Sequence, residues 1–484
     1  MNLAVFLHAF GARYDLPISF ALYLFAAAGV VVVSFVMVAI FAGERVGERA
    51  VRYPRLPAPL LLAIGRTAAL RAVTGAIGVL ALLTIIVTGF FGDQNPARNP
   101  AEYLTWIYFW AGLVILSGLV GNLWTLLNPW TAIYDLVTWG RRPEPRFVLP
   151  DAVGVWPAAV VYLLFAMFEL ASGVANRPWL VATLALIYSA FTLAGMALFG
   201  RDRWLQSCEG FTVLFSVVGR FGPVETERDA GGRLEAVWLR PWGTGLLQRQ
   251  RGGWDWVVFV ILMLASLAFD GIIAPIPAWQ DFASALAPWV APLGAVGTAL
   301  IKALGLLLVA STFLLIFTAF VRLMLFFGGG RVDELATITA FTRLVIFFGS
   351  GRVDQLETFT GFALTLVPIA LVYNAAHNYS YLTIQSQTLI PLLADPLGKG
   401  WHLLPTAAYQ PSFALSGAAT VWYMQIILIV VGHVIAVYLA HLRAGERFRS
   451  AQRALLSQYP MLALMVLYTM TSLWILAQPI TRGG

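Results

Sequence analysis

Residues 357–391 read ETFTGFALTLVPIALVYNAAHNYSYLTIQSQTLIP, an apolar run that passes into a polar one. A helix needs about 20 apolar residues to cross a bilayer, and this run is long enough. Read as one helix, it carries five hydrogen-bonding side chains on one stripe: Asn374, His377, Asn378, Tyr381 and Gln385. Polar groups in hydrocarbon are costly unless they meet partners or water. The stripe is therefore either a functional site or a set of hydrogen bonds that join helices.

The composition places the whole chain in the same class. Of its 484 residues, 60% are hydrophobic and 11% are charged, and the mean hydropathy is +0.79. We predict an all-α, polytopic integral membrane bundle, with residues 1–484 as a single transmembrane domain. Ten transmembrane helices are predicted, at residues 17–41, 73–91, 104–126, 153–173, 179–199, 254–274, 297–325, 358–382, 420–441 and 460–478.

The positions of arginine and lysine predict the orientation, because cytoplasmic loops carry an excess of both. Alternate loops, beginning with the one between spans 1 and 2, hold 24 of the 31 basic residues, the opposite side holds five, and two lie within span 7. This bias predicts an N-out/C-out topology in a bacterial plasma membrane. The same bias explains the net charge of +7, because the basic residues set the topology and contact anionic lipids. The predicted partner is therefore the lipid bilayer, and no nucleic acid is needed to explain the charge.

Several cytoplasmic segments are more than linkers. In the loop 200–253, residues 204–223 predict an amphipathic helix in the interface plane, and the alternation over 224–240 predicts a small hairpin. Residues 318–359 hold a tandem duplication of 21 residues, 14 of them identical, which we interpret as an extension of span 7 followed by an interfacial helix. At the end of span 3, Trp124 and Trp130 fit a cytoplasmic aromatic belt better than a re-entrant turn.

In this topology, polar side chains from five spans fall at one depth below the outer surface. The predicted pathway for a substrate or for protons comprises Glu169, Asp270, Lys302, Asn374, His377, Asn378, Tyr381, Gln385 and Gln425. An unpaired charge at this depth costs on the order of several kcal/mol, so we predict an ion pair of Lys302 with Asp270 or Glu169. His377 is then the group that titrates near neutral pH.

Three classes of function fit these residues. The first and favoured one is a permease for a small solute or ion, with proton coupling through His377. The second is a membrane subunit of a redox assembly, with His377 or His433 as a haem ligand or a quinone contact. Because these two histidines differ in depth, one haem bound by both is disfavoured. The third is an intramembrane lipid-handling enzyme that uses Glu169, Asp270 and His377 as acid and base.

The sequence also excludes several kinds of chemistry. One cysteine, Cys208, rules out a disulfide framework and a cysteine-based metal site. The chain contains no P-loop motif, no attachment motif for c-type haem and no zinc-protease helix. No residue is predicted to be catalytic or to bind a metal. The sequence does not determine the cofactor, the substrate or the presence of other membrane subunits.

Overall fold

The computed structural model describes residues 20–42, 53–229, 232–250, 252–273, 276–328, 353–448 and 451–476. Over these ranges the chain is a bundle of helices with one small sheet, which confirms the all-α class. Nine of the described helices are long and apolar enough to span a membrane, and each corresponds to one predicted span. The other predicted span, 17–41, corresponds to the helix Phe20–Ala42. These helices have the length and composition typical of an integral multi-pass membrane protein.

The first half of the chain forms the helices α1 (Phe20–Ala42), α2 (Pro59–Arg66), α3 (Ala68–Phe91), α4 (Pro100–Val120), α5 (Trp124–Leu127), α6 (Pro129–Val137), α7 (Trp156–Ala171), α8 (Pro178–Phe199), α9 (Arg201–Ser207) and α10 (Gly210–Gly219). Asn-Pro pairs begin two of them. Asn99 and Asn128 each accept a hydrogen bond from a backbone N–H of the first turn, and the prolines that follow need no such bond. The sequence thus specifies these helix starts locally.

The second half forms α11 (Trp254–Ile273), α12 (Pro277–Val290), α13 (Ala295–Phe327), α14 (Val353–Leu364), α15 (Val367–His377), α16 (Ser386–Leu392), α17 (Ala418–Arg447) and α18 (Ala451–Leu476). The centre of the bundle is α11 together with α14 and α15, whose residues are mostly buried. By contrast, α12 has no buried residue and lies on the surface. The helices α13, α17 and α18 pack around this centre.

Three short strands form an antiparallel sheet in the order β1 (Leu56–Pro57), β3 (Leu234–Leu239) and β2 (Val224–Arg228). The strands β2 and β3 lie within 224–240, the segment for which the sequence predicts a hairpin. A buried ion pair joins β2 to the residue that follows β3, because the Arg240 Nη1 atom is 3.0 Å from the Glu225 Oε2 atom. The attraction between the two charges offsets part of the cost of taking both out of water.

The prediction of an interfacial helix at residues 204–223 is wrong. Eight of the ten residues of α10 are buried, so this helix lies inside the protein rather than on its surface. Aromatic rings cover it on more than one side: Phe211 lies 4.8 Å from Phe109, and Phe215 stacks on Trp124 at 5.2 Å. A short apolar helix with such neighbours gains more by burial in protein than by contact with lipid headgroups.

The aromatic belt predicted at the end of span 3 is also wrong. Trp124 and Trp130 are each 4% exposed and pack against each other with ring centroids 5.6 Å apart. The chain turns at Gly121, which has φ +146° and lies against the backbone of Gly222. A side chain at either glycine would prevent this approach, so the α4–α5 turn and the end of α10 form one tightly packed unit.

The tandem duplication at 318–359 lies largely outside the described residues. Its first copy begins in α13, which ends at Phe327, and the described chain resumes with α14 at Val353. The first half of the first copy therefore continues the predicted span as one helix. The interfacial helix predicted for the second copy falls on residues outside the described ranges.

Candidate functional site

A histidine and an aspartate from two central helices meet near one end of the bundle. His377 is the last residue of α15, and Asp270 lies in the last turn of α11. The His377 Nε2 atom is 2.9 Å from the Asp270 Oδ2 atom, and the side chains are 15% and 30% exposed. Neither side chain is sealed inside the protein. An imidazole and a carboxylate at this distance can share or exchange a proton.

The surrounding residues hold the imidazole in place. The Tyr373 ring, one helical turn earlier, stacks on His377 with a centroid distance of 5.9 Å and an interplanar angle of 10°. The Tyr373 hydroxyl lies against Gly271, the residue next to Asp270. α11 and α15 therefore approach closely at the level of the pair. The packing of Tyr373 thus brings the two helices together beside His377 and Asp270.

Glu169 and Tyr381 lie near the same pair. Glu169 belongs to α7, is partly buried, lies near Trp110 of α4 and is within electrostatic range of Asp270. Tyr381 is within electrostatic range of both Asp270 and Glu169. The structure thus brings together four of the residues singled out from the sequence: Glu169, Asp270, His377 and Tyr381.

Glu102 is a further carboxylate in this region, and the sequence reasoning missed it. It is 7% exposed, its Oε2 atom accepts a 3.0 Å hydrogen bond from the Trp106 indole, and its Oε1 atom is buried without a hydrogen-bond partner among the described residues. Glu102 interacts with Tyr103, which in turn interacts with Tyr381. The sequence did contain a signal for this site, because Glu102 lies in the first turn of a spanning helix and Trp106, four residues later, can donate a hydrogen bond to it.

We refer to Glu102, Glu169, Asp270, His377 and Tyr381 as the carboxylate–histidine cluster. Two segments that build the cluster depart from α-helical geometry, and these two segments contact each other. These π-helical segments are Tyr103–Leu113 of α4 and Tyr381–Gln385, which follows α15. Such segments are rare and are frequent at functional sites, because the wider turn redirects side chains and loosens backbone hydrogen bonds.

A small cavity lies beside the cluster, between α11, α13, α15 and α18. Its volume is about 30 Å³, and its lining includes Tyr373, Tyr468, Thr471 and Ser472. The Tyr373 and Tyr468 hydroxyls are buried without a hydrogen-bond partner among the described residues. A water molecule needs roughly 10–15 Å³ of such volume and two to four polar partners. The cavity therefore has room for a water molecule.

Three predicted amides have structural roles. The Asn378 Nδ2 atom donates to the Asn374 Oδ1 atom at 2.7 Å, so these two side chains satisfy each other at the end of α15. The Gln425 Nε2 atom donates to the Ala376 carbonyl oxygen at 3.2 Å and joins α17 to α15. Gln385 ends the π-helical segment and is partly buried.

The predicted ion pair of Lys302 with Asp270 or Glu169 is wrong. Lys302 lies on α13, is partly buried and makes no ion pair with any described residue. The described ion-pair partner of Asp270 is His377 instead. Because lysine has a long, flexible side chain, its ammonium group can reach polar surroundings without a nearby carboxylate.

His433 is fully buried in α17. Its Nδ1 atom is 2.7 Å from the Ile429 carbonyl oxygen and must donate to it, so the Nε2 atom carries the lone pair. That Nε2 atom has no hydrogen-bond partner among the described residues. Gln425 lies level with Ala376, and His433 is eight residues further, about 12 Å along the helix. His377 and His433 therefore lie at different depths, as the sequence indicates.

No metal site is apparent in the part of the chain that the structure describes, since it has no group of three or more histidine, cysteine, aspartate or glutamate side chains that could hold a metal ion. Comparisons with protein-family models, curated proteins and solved structures found no match. The function is therefore argued from the geometry of the cluster.

Proposed function

We propose that this chain is a proton-coupled permease of a bacterial plasma membrane, with both termini outside, that moves a small cation past the carboxylate–histidine cluster. The contact between His377 and Asp270 carries the proposal. It joins a group that changes charge near neutral pH to a carboxylate, across the interface of two central helices. A change in protonation would alter the attraction between α11 and α15, and a permease needs such a link between proton binding and helix position.

The charge of the cluster supports a cationic substrate. Glu102, Glu169 and Asp270 supply three carboxyl groups, and His377 is the basic side chain described beside them. Carboxylate groups attract cations and repel anions, and they do so more strongly where they are partly removed from water. The π-helical segments and the water-sized cavity lined by Tyr373 and Tyr468 support a route by which protons leave the cluster.

Transport can be tested in liposomes that contain the purified full-length chain and are acidified inside. Pulses of sodium, potassium, lithium, methylammonium and choline are added outside, and proton release is followed with an internal pH-sensitive dye. We expect one or more of these cations to drive proton release. Replacement of either member of the central pair, His377→Ala or Asp270→Asn, should abolish the response, because each removes one side of the proton-sharing contact.

Two matched controls test whether loss of any imidazole or carboxylate, rather than of His377 or Asp270, abolishes the response. His402→Ala removes an exposed imidazole from a loop, and Asp281→Asn removes an exposed carboxylate from α12. Both should retain the response of the unmodified chain. Proton movement that no cation drives, or that persists in His377→Ala, contradicts the proposal.

One observation favours a second candidate, a membrane subunit of a redox assembly. His433 has the arrangement of a ligating histidine, with Nδ1 donating to a carbonyl and an unoccupied Nε2 lone pair. The absorption spectrum of the purified protein tests it. A Soret band that disappears in His433→Ala would support haem binding, and a colourless preparation would leave the permease as the better proposal. No contact favours the intramembrane enzyme over these two.

A further inference from the structure

A second polar cavity lies between α14, α17 and the segment after the turn Thr244–Leu247. Its volume is about 300 Å³, ten times that of the cavity beside the cluster. Its lining is Arg249, Gln250, Glu357, Thr358, Gly361, Phe362, Arg443, Glu446 and Arg447. We call it the arginine cavity. Its residues take no part in the carboxylate–histidine cluster.

The two sites lie at opposite ends of α17. Gln425 marks the level of the cluster, because it bonds to Ala376 next to His377. Arg443 is 18 residues further along the same helix, a distance of about 27 Å. The arginine cavity is therefore at the end that the distribution of basic residues assigns to the cytoplasm.

Arg443 is built into the wall of this cavity. Its Nη1 atom pairs with the Glu446 Oε2 atom at 2.8 Å, and its Nη2 atom donates to the Leu246 carbonyl oxygen at 3.1 Å. The side chain is 11% exposed. Its Nε atom, however, is buried without a hydrogen-bond partner among the described residues, and it lies beside Gly361, which has no side chain to cover it. A buried guanidinium N–H without an acceptor is costly, and the positive charge of Arg443 is only partly balanced by Glu446 and the Leu246 carbonyl.

The balance of charge around the cavity is positive. Three arginines face two glutamates, and Glu446 is already paired with Arg443. Arg447 uses its Nε atom to bond Thr358 at 2.9 Å, which leaves the rest of its guanidinium group for another acceptor. Arg249 makes no ion pair or hydrogen bond with any described residue, and it is exposed at the mouth of the cavity.

We propose that the arginine cavity binds an anion that carries a phosphate group. Planar guanidinium groups bind phosphate oxygens through paired hydrogen bonds, and two or three of them around one pocket are typical of phosphate recognition. The ligand would be held by Arg249 and Arg447, with the positive charge of Arg443 in the wall of the cavity adding electrostatic attraction. The volume accommodates a phosphate together with part of the molecule that carries it. Its source is either the headgroup of an anionic lipid or a soluble phosphate.

Binding can be measured on the full-length protein in a nonionic detergent by thermal unfolding. One arm titrates sodium phosphate against sodium chloride at equal ionic strength. The other adds dioleoylphosphatidylglycerol to the micelles and compares it with dioleoylphosphatidylcholine. We expect a saturable rise in Tm in at least one arm. A rise with phosphate alone identifies a soluble ligand, and a rise with phosphatidylglycerol alone identifies a lipid headgroup.

Arg249→Gln is the main variant, because it breaks no described contact and so leaves the fold intact. It should weaken binding roughly tenfold to a hundredfold, the equivalent of one hydrogen bond to a charged group. Arg447→Gln should weaken it further. The matched control is Arg141→Gln, which removes an exposed arginine from another loop on the same face. The proposal is overturned if Arg141→Gln weakens binding as much as Arg249→Gln does. It is also overturned if phosphate gives the same Tm as chloride and phosphatidylglycerol gives the same Tm as phosphatidylcholine.

Discussion

Gly271 lies directly against the hydroxyl group of Tyr373. A methyl group at Gly271 would stand 2.4 Å from the Tyr373 Oη atom and 2.4 Å from the Ile475 Cγ2 atom, well inside normal contact. The absence of a side chain at Gly271 therefore sets the separation of α11 from α15 and α18. It also allows Asp270, the preceding residue, to reach His377.

Gly271→Ala should destabilise the protein by about 1–3 kcal/mol, because an added methyl group in a closely packed interface forces side chains or backbone to move. The measurement is the free energy of unfolding in mixed micelles, followed by tryptophan fluorescence. Gly29→Ala is the control, since no atom lies within 4 Å of the added methyl group. It should be neutral or stabilising by up to about 1 kcal/mol, as expected for glycine replaced in a helix. Similar losses in both variants would show that the contact at Gly271 does not matter.

Asp270 and His377 should be energetically coupled. In a double-mutant cycle with Asp270→Asn and His377→Gln, the two losses should differ from additivity by about 0.5–3 kcal/mol, because each single change leaves the other partner without its contact. Unfolding in mixed micelles again provides the free energies. The control cycle combines His377→Gln with Asp281→Asn on α12, and it should be additive. Additivity in the first cycle would mean that the 2.9 Å contact contributes nothing to the fold.

Glu102→Gln should stabilise the fold by about 1 kcal/mol while it reduces proton-coupled transport. The reason is that Glu102 is buried, one of its oxygen atoms has no hydrogen-bond partner in the described part of the chain, and an amide is less costly to bury than a carboxylate. Sites that are kept for function commonly carry such a cost in stability. The free energy of unfolding checks the predicted gain in stability, and cation-driven proton release in liposomes checks the predicted loss of transport. A variant that is less stable and fully active would contradict this prediction.

Glu209→Gln should lower the free energy of unfolding by about 1–3 kcal/mol. The Glu209 carboxylate is fully buried and accepts hydrogen bonds from the backbone N–H groups of Phe211 and Thr212, at 3.0 and 2.7 Å, and from the Tyr188 hydroxyl. An amide can replace only part of this set, so a buried donor loses its acceptor. Glu235→Gln, an exposed position on β3, should change stability little. Equal effects of the two would argue against a capping role for Glu209.

Cys208 should resist alkylation in the folded protein. The residue is 2% exposed, and burial raises the pKa of its thiol to about 11, although the charge of Arg203 opposes this in part. The reactive thiolate is therefore scarce at pH 8. A maleimide should label Cys208 only after denaturation, and Cys208 is the single cysteine of the chain. The comparison is an exposed thiol, Ser412→Cys in a Cys208→Ser background, which should react at once under native conditions.

Much of the fold follows from local properties of the sequence. Hydropathy summed over about 20 residues predicts a spanning helix because crossing a bilayer depends on one segment at a time. The Asn-Pro pairs at helix starts and the alternating pattern of strands β2 and β3 can also be recognised from one short segment at a time. The shared depth of Glu169, Asp270 and His377 could also be predicted, because position along a span gives depth directly.

The tertiary structure alone decided which side chains meet. Depth does not specify direction around a helix, so the sequence could not show that Asp270 contacts His377 rather than Lys302. Hydropathy likewise does not separate a helix buried in protein from one in lipid headgroups, and α10 was misassigned for that reason. Glu102 was missed because it precedes the apolar run that marks its span. In each case the outcome depends on distances between segments remote in sequence, which only the packed bundle determines.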